Sequence, residues 1–274
     1  MSPLIGWVAN TSALLVTAIV LYLLNREYNF VQGSDTVLTG MFAIMASTNL
    51  WVSGTLSSSA LVALANLICL AVLFGCYRKR NAAQEMCVIA TILSLGSMIQ
   101  YAFIFMLPVY IIGAGLMKCL DFKAFVAYLF GIAAPYWVAV GLGIVPLSDF
   151  TMPTISNLFD GFATRPQLFA GLVIVGLTVL LSVVLALTNM VKLYAGNTQR
   201  RLYNLTIDVL GLACALCVVV DAQNMVAYLC TIYMIAAVQI ANLFALRNVY
   251  HGGRWVTALC VLYIAGFAVM MTVK

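Results

Sequence analysis

From Met86 to Met117 the chain carries no charged residue, and further apolar stretches lie on both sides of it, parted by short polar loops. Inside hydrocarbon only a helix or a closed barrel satisfies its own backbone, so long apolar runs of this kind allow two architectures. The strict apolar–polar alternation of a barrel strand is absent. The expected fold is therefore all-α: a polytopic transmembrane helix bundle of about ten spans, forming a single integral membrane domain over residues 1–274. Composition points the same way. Hydrophobic residues make up 65% of the chain and charged residues 8%, whereas a soluble domain is about half apolar and a quarter charged.

The expected spans fall at about 4–24, 36–54, 57–77, 86–101, 103–117, 124–146, 168–190, 203–220, 225–246 and 255–273, each judged against the roughly 20 apolar residues that cross a bilayer. Met1 to Leu24 has neither the basic start nor the small-residue cleavage site of a secretory signal, and it is expected to be a retained first span. The stretch 86–117 is long for one crossing and short for two. Gln100-Tyr101 lies at its centre, followed by Pro108, Gly113 and Gly115, so two short helices meeting near Gln100 are expected, a bent hairpin.

The basic residues choose between one helix and two. With two helices, Arg26, Arg78, Lys79, Arg80, Lys118, Lys123, Lys192, Arg200, Arg201, Arg247 and Arg254 share one side, and only Arg165 and Lys274 lie on the other. With one helix that sorting collapses. Basic residues in short loops stay on the cytoplasmic side, so both termini are expected outside, in the periplasm of a bacterial inner membrane. The net charge of +5 is accounted for by these flanking residues and gives no sign of nucleic-acid binding.

Polar groups inside hydrocarbon are costly and mark candidate sites. Asp208 is the one acid clearly within an expected span, with Asn204 a turn before it on the same face. Gln239 and Asn242 share a face of the ninth span. These four, with Gln100, Pro135 and Tyr136, are the candidate substrate-binding residues. The simpler readings are that Asp208 reaches back to Arg200 or Arg201, and that the amides, including Asn49, Asn66 and Asn189, hold helices together. The simpler reading of Pro135 is a structural kink.

The outer loop 147–167 offers Asp149, Asp160 and Arg165. These would be catalytic in an enzyme that moves sugars or phosphates from a polyprenyl carrier: a carboxylate as base, an arginine fork on pyrophosphate. A solvated loop is the simpler reading. Phe150, Ile155, Leu158, Phe159 and Phe162 have roughly helical spacing, which suggests a short interfacial helix there.

No phosphate-binding glycine loop, nucleophile elbow, H-E-x-x-H or C-x-x-C-H is present, which argues against ATP hydrolysis, zinc proteolysis and covalent haem attachment. His251 is the single histidine and sits on a turn. The eight cysteines lie in or beside apolar runs, where packing is their expected role; Cys214 and Cys217 form a C-x-x-C without a second pair. No cofactor or metal is expected.

The hairpin Ser94 to Leu107 followed by Pro108, then Phe122-Lys-Ala-Phe-Val-Ala-Tyr-Leu-Phe-Gly131 and Ala134-Pro135-Tyr136-Trp137, resembles an uncharacterised polytopic inner-membrane family of Bacteroides-type Gram-negative bacteria. The resemblance implies a bacterial inner membrane and a compact multi-helix bundle, and it supplies no activity and no site residues. The bent short helices are also loosely similar to membrane-embedded lipid-linked glycan polymerases and glycosyltransferases. Those place acids in an early outer loop, and Thr55 to Ser58 has none.

Three functional readings follow. The first is a cell-envelope biogenesis factor that handles a lipid-linked or hydrophobic substrate or serves as a subunit of a membrane complex, without catalysis of its own. The second is a glycosyltransferase-like or polymerase-like enzyme at the outer face. The third is a small-solute or proton-coupled transporter using Asp208, Gln239 and Asn242. The partners expected are the lipid bilayer, a lipid-linked glycan and other membrane proteins. The sequence does not fix the oligomeric state.

Overall fold

The computed structural model describes residues 3–53, 58–143, 166–193, 197–221, 224–246 and 249–272, and all regular structure among them is helical. Asp149, Asp160, Arg165 and the expected interfacial helix lie outside the described residues. The helices are α1 (Pro3–Tyr28), α2 (Asp35–Thr48), α3 (Leu50–Ser53), α4 (Ser59–Gly75), α5 (Ala83–Ile99), α6 (Leu107–Leu116), α7 (Phe122–Gly141), α8 (Pro166–Leu193), α9 (Thr198–Val220), α10 (Met225–Leu246) and α11 (Val249–Thr272). Five of them, α1, α7, α8, α9 and α10, hold segments long and apolar enough to cross a membrane.

The apolar segments differ greatly in surroundings. In α10 89% of the span window is buried inside the protein, against 22% in α1 and α8 and 28% in α7. Helix α10 is the axis of the bundle, and α2, α4, α8, α9 and α11 pack against it. Helices α5 and α7 form a second, closely packed pair at the side. A helix apolar all round is either buried or set against an apolar surrounding, and α7 leaves Phe130 and Trp137 exposed on its outer face.

Local chemistry sets where helices stop. After Ile99 the chain becomes extended at Gln100 (φ −140°, ψ 119°), then resumes as a 3-10 helix over Tyr101–Met106 before α6. The interruption thus falls at Gln100. A second break, which hydropathy does not signal, separates α2 from α3 at Asn49. Its Oδ1 accepts the Trp51 N–H at 2.9 Å, as an N-cap does, and its Nδ2 donates to the Tyr233 hydroxyl of α10. Asp121 caps α7 by accepting from Ala124 N at 2.8 Å. Arg78 and Lys118 both adopt φ of 56° in the turns after α4 and α6, and Arg78 N donates to Met117 O at 3.0 Å, stitching those turns together.

These contacts gather the helix ends into two groups. At one end, Tyr28 Oη donates to Ala71 O (2.9 Å), Tyr203 Oη to Phe74 O (3.2 Å), and Ser34 Oγ to Ala241 O (3.1 Å). The loop after α1 folds inward there. Phe30 and Val31 are fully buried, and Phe30, Phe74 and Tyr203 form an aromatic plug whose Phe74–Tyr203 rings stack at 4.3 Å. At the other end, Cys230 N donates to Ser59 Oγ (3.0 Å) and Gln100 Nε2 to Asn224 Oδ1 (3.0 Å).

Candidate functional site

Asp208 stands near the middle of α9, roughly 15 Å from its start at about 1.5 Å per residue. Helix α9 begins at Thr198, several residues before the expected 203, so Arg200 and Arg201 are helical and Asp208 lies about two turns beyond them. It does not rely on Arg200, whose Nε donates to Asn29 O at 3.0 Å. Instead Gln239 of α10 donates from Nε2 to Asp208 Oδ1. Gln239 is held in turn by Asn189 of α8, which donates from Nδ2 to Gln239 Oε1 at 2.8 Å and to Gln239 O at 2.9 Å. A relay of side chains therefore joins α8, α10 and α9. Among the described residues Gln239 alone hydrogen-bonds the carboxylate, which leaves Oδ2 without a donor.

That carboxylate lines a groove of about 170 Å³ between α8 and α9, floored by Ile232 and Ile235 of α10. Val179, Ser182, Ala186 and Met190 form one wall, and Gly211, Leu212 and Ala215 the other. Leu187 and Leu212 on its rim are 62% and 58% exposed, so the groove opens sideways from the bundle rather than along its axis. Gly211 permits this floor: a Cβ there would stand 2.9 Å from Ile235 Cγ2. No basic residue is among the described residues that line the groove.

The other candidates separate from Asp208. Asn204 and Asn242 bond each other at 2.6 Å, and Asn204 Nδ2 donates to Phe30 O at 3.0 Å, so this pair ties down the inward-folded loop. Asn25 completes that tie by accepting Val31 N at 2.8 Å through Oδ1 and donating to Asp35 through Nδ2. Gln100 belongs to the opposite end, where its partner Asn224 donates to both oxygens of Asp221 at 3.0 and 3.1 Å. Asp221, 6% exposed, also accepts from Tyr228 Oη at 3.0 Å. This carboxylate escapes span counting because it falls just after α9, and its partners Asn224 and Tyr228 stand three and seven residues further along the chain.

Pro135, without Tyr136, lines a second groove of about 500 Å³, together with Thr91, Leu95, Met98, Ala134, Val138 and Ala139 of α5 and α7. Proline has no N–H to give the carbonyl one turn earlier, that of Gly131. Helix α5 supplies hydroxyls to this stretch. Thr91 Oγ1 approaches Gly131 O at 3.5 Å, Ser94 Oγ donates to Ile132 O at 2.9 Å, and Ser97 Oγ shares a hydrogen bond with Tyr136 Oη. The contact is close because residue 131 is glycine: a Cβ there would lie 2.6 Å from Cys87 O.

Among the described residues no three His, Cys, Asp or Glu side chains come together as a metal site would require. The cysteines are free thiols. Compared with known proteins, the chain matches no family model, no curated protein and no solved structure.

Proposed function

We propose that this protein is a ten-pass protein of a bacterial inner membrane, with both termini in the periplasm, that handles a hydrophobic substrate in the lateral groove headed by Asp208. Ten passes are supported by the two groups of helix ends: the ends of α1, α4 and α10 meet the start of α9, as helices of alternating direction must. The basic turns Arg78–Arg80 and Lys118–Lys123 belong to that same group through the Arg78–Met117 bond, which agrees with basic loops facing the cytoplasm. Cysteine labelling tests the orientation. A thiol at position 79 should react from the cytoplasmic side and one at 165 from outside; reaction of both from one face refutes ten passes.

The observation that carries the substrate reading is the Asp208 carboxylate at mid-helix, given one donor and facing an apolar groove open to the side. Acids in such positions are rare and mark pathways or binding sites. A photoreactive residue at Leu212 should crosslink a hydrophobic compound from native membranes, and Ala186→Phe, which fills the groove, should abolish the crosslink. Crosslinking undiminished by Ala186→Phe would refute the groove.

Proton-coupled transport is a second reading, favoured by the same carboxylate, because an acid with a free oxygen in a low-dielectric site exchanges a proton when its partner changes. Proton-driven uptake in proteoliposomes that survives Asp208→Asn would remove it. The outer-face enzyme reading gains no support from geometry, since Asp149, Asp160 and Arg165 fall outside the described residues.

A further inference from the structure

An ionised carboxylate in hydrocarbon needs a counter-charge, or a full set of donors, to offset its lost hydration. Asp221 has the donors: Asn224 on both oxygens and Tyr228 on one. Asp208 has Gln239 on Oδ1 alone, and no basic residue among those described lines its groove. Oδ2 receives no hydrogen bond from the described residues. A cation that also donates a hydrogen bond would supply both charge and donor, and the space beside it is bounded by apolar residues from Ala186 and Ala215 to Leu187, Met190 and Ile235. An anionic ligand would be repelled there. A neutral alcohol would bring a single hydrogen bond and no charge. An ammonium group brings both charge and donors, and Ser182 is the one other polar residue among those lining the groove.

We propose that the groove is a binding site for a lipophilic amine, with its ammonium paired to Asp208 Oδ2 and its hydrocarbon or aryl body against Ala186, Gly211 and Ala215. This rests on the hydrophobic-substrate reading above and names the chemistry of the head group. The volume of about 170 Å³ compares with the roughly 150 Å³ cavity that accommodates benzene, so the groove holds one ring or a short alkyl segment while the remainder lies in lipid past Leu187 and Leu212. The amine is not the head group of an aminophospholipid. That ammonium is fixed at the interface beside a phosphate, whereas Asp208 lies about 12 Å along α9 beyond Arg200, the basic residue expected at the interface.

The test uses the full chain in lipid nanodiscs and three probes of equal chain length: octylammonium, octanol and octanoate. Thermal midpoints are followed against probe concentration in the wild type, Asp208→Asn and Ala186→Phe. Octylammonium should give a saturable rise in the wild type, with apparent affinity falling at least tenfold in Asp208→Asn, and octanol and octanoate should give none. An octylammonium response unchanged in Asp208→Asn overturns the proposal. Should Asp208→Asn fail to fold, Ala186→Phe decides: it leaves the Asp208–Gln239 bond in place, and a saturable ammonium response that persists in it overturns the proposal. Saturable octanol binding that Ala186→Phe abolishes overturns the amine assignment and leaves the hydrophobic-substrate reading standing. If no probe gives a saturable response in the wild type, the amine assignment falls.

Discussion

Two lateral apolar grooves among the described residues differ in how their polar atoms are supplied. Beside Pro135 the backbone carbonyls at the kink receive hydroxyls from Thr91 and Ser94, and Tyr136 is bonded to Ser97. Beside Asp208 a carboxylate receives one amide donor and keeps an oxygen open. In the first groove the polar groups are met within the bundle; in the second a charge-bearing atom is left without a donor among the described residues. Volume orders the two the other way, the Pro135 side being the larger at about 500 Å³ against about 170 Å³.

The sharpest way to break this comparison is Asp208→Asn, which keeps the shape and removes the charge. Substrate handling should be lost outright, whether read as crosslinking at residue 212 or as uptake in proteoliposomes. Stability should hold or rise, because a neutral amide avoids the cost of a charge in hydrocarbon. Retained handling, with handling lost instead in Pro135→Ala, would exchange the roles of the two grooves.

On the α5–α7 side the expected effect is on folding alone. Gly131→Leu drives a side chain into the Cys87 carbonyl and should lower stability by about 3 kcal/mol, the upper end of overpacking. Detergent-solubilised unfolding measures this, and a loss below about 1 kcal/mol would show that α5 and α7 are free to part. Gln239→Leu should cost roughly 2 kcal/mol, as it strips the one donor from a charged group. Its partner substitution in the double mutant Gln239→Leu/Asp208→Asn should recover most of that loss, and no recovery would mean that Gln239 acts through Asn189 alone. Ser94→Ala, which removes one interhelical hydroxyl, should cost about 0.6 kcal/mol and leave handling untouched.

Hydropathy and proline placement made the helical class and the break at Gln100 legible, because a polar pair followed by Pro108 cannot continue an apolar helix unmarked. Asn49 shows the limit. Its break depends on Tyr233, far along the chain, accepting its side chain, and no local pattern encodes a partner of that kind. The same holds for the candidate site. Sequence spacing grouped Asn204, Asp208, Gln239 and Asn242 by helix face, yet two of them secure the loop around Phe30 and two form the relay with Asn189. The pairs part because α9 and α10 run antiparallel in a fixed register, so Asn204 meets Asn242 while Asp208, a turn on, meets Gln239, and that register is a tertiary property.

The smallest expected effect concerns the one carboxylate described here that has a cationic partner. Lys79 lies in the turn after α4 and is hydrogen-bonded to Glu85 at the start of α5. The Lys79 ammonium holds the Glu85 carboxyl below its ordinary range, and Glu85 in return raises Lys79. A depressed carboxyl contributes stability that is present above its unfolded pKa and lost as pH falls through the folded value; a raised amine contributes below its unfolded pKa and loses that as pH rises through the folded one. Stability should therefore decline slightly on acidification below the ordinary glutamate range of about 4.5 and again in strong alkali above about 10.5. Lys79 is solvent-exposed, so the decline should shrink at high salt. Glu85→Gln should flatten the acid limb without touching substrate handling, measured as the difference between thermal midpoints at neutral and acid pH. An acid limb that stays equally steep in Glu85→Gln would mean that the Lys79–Glu85 pair does not set the pH dependence of the fold.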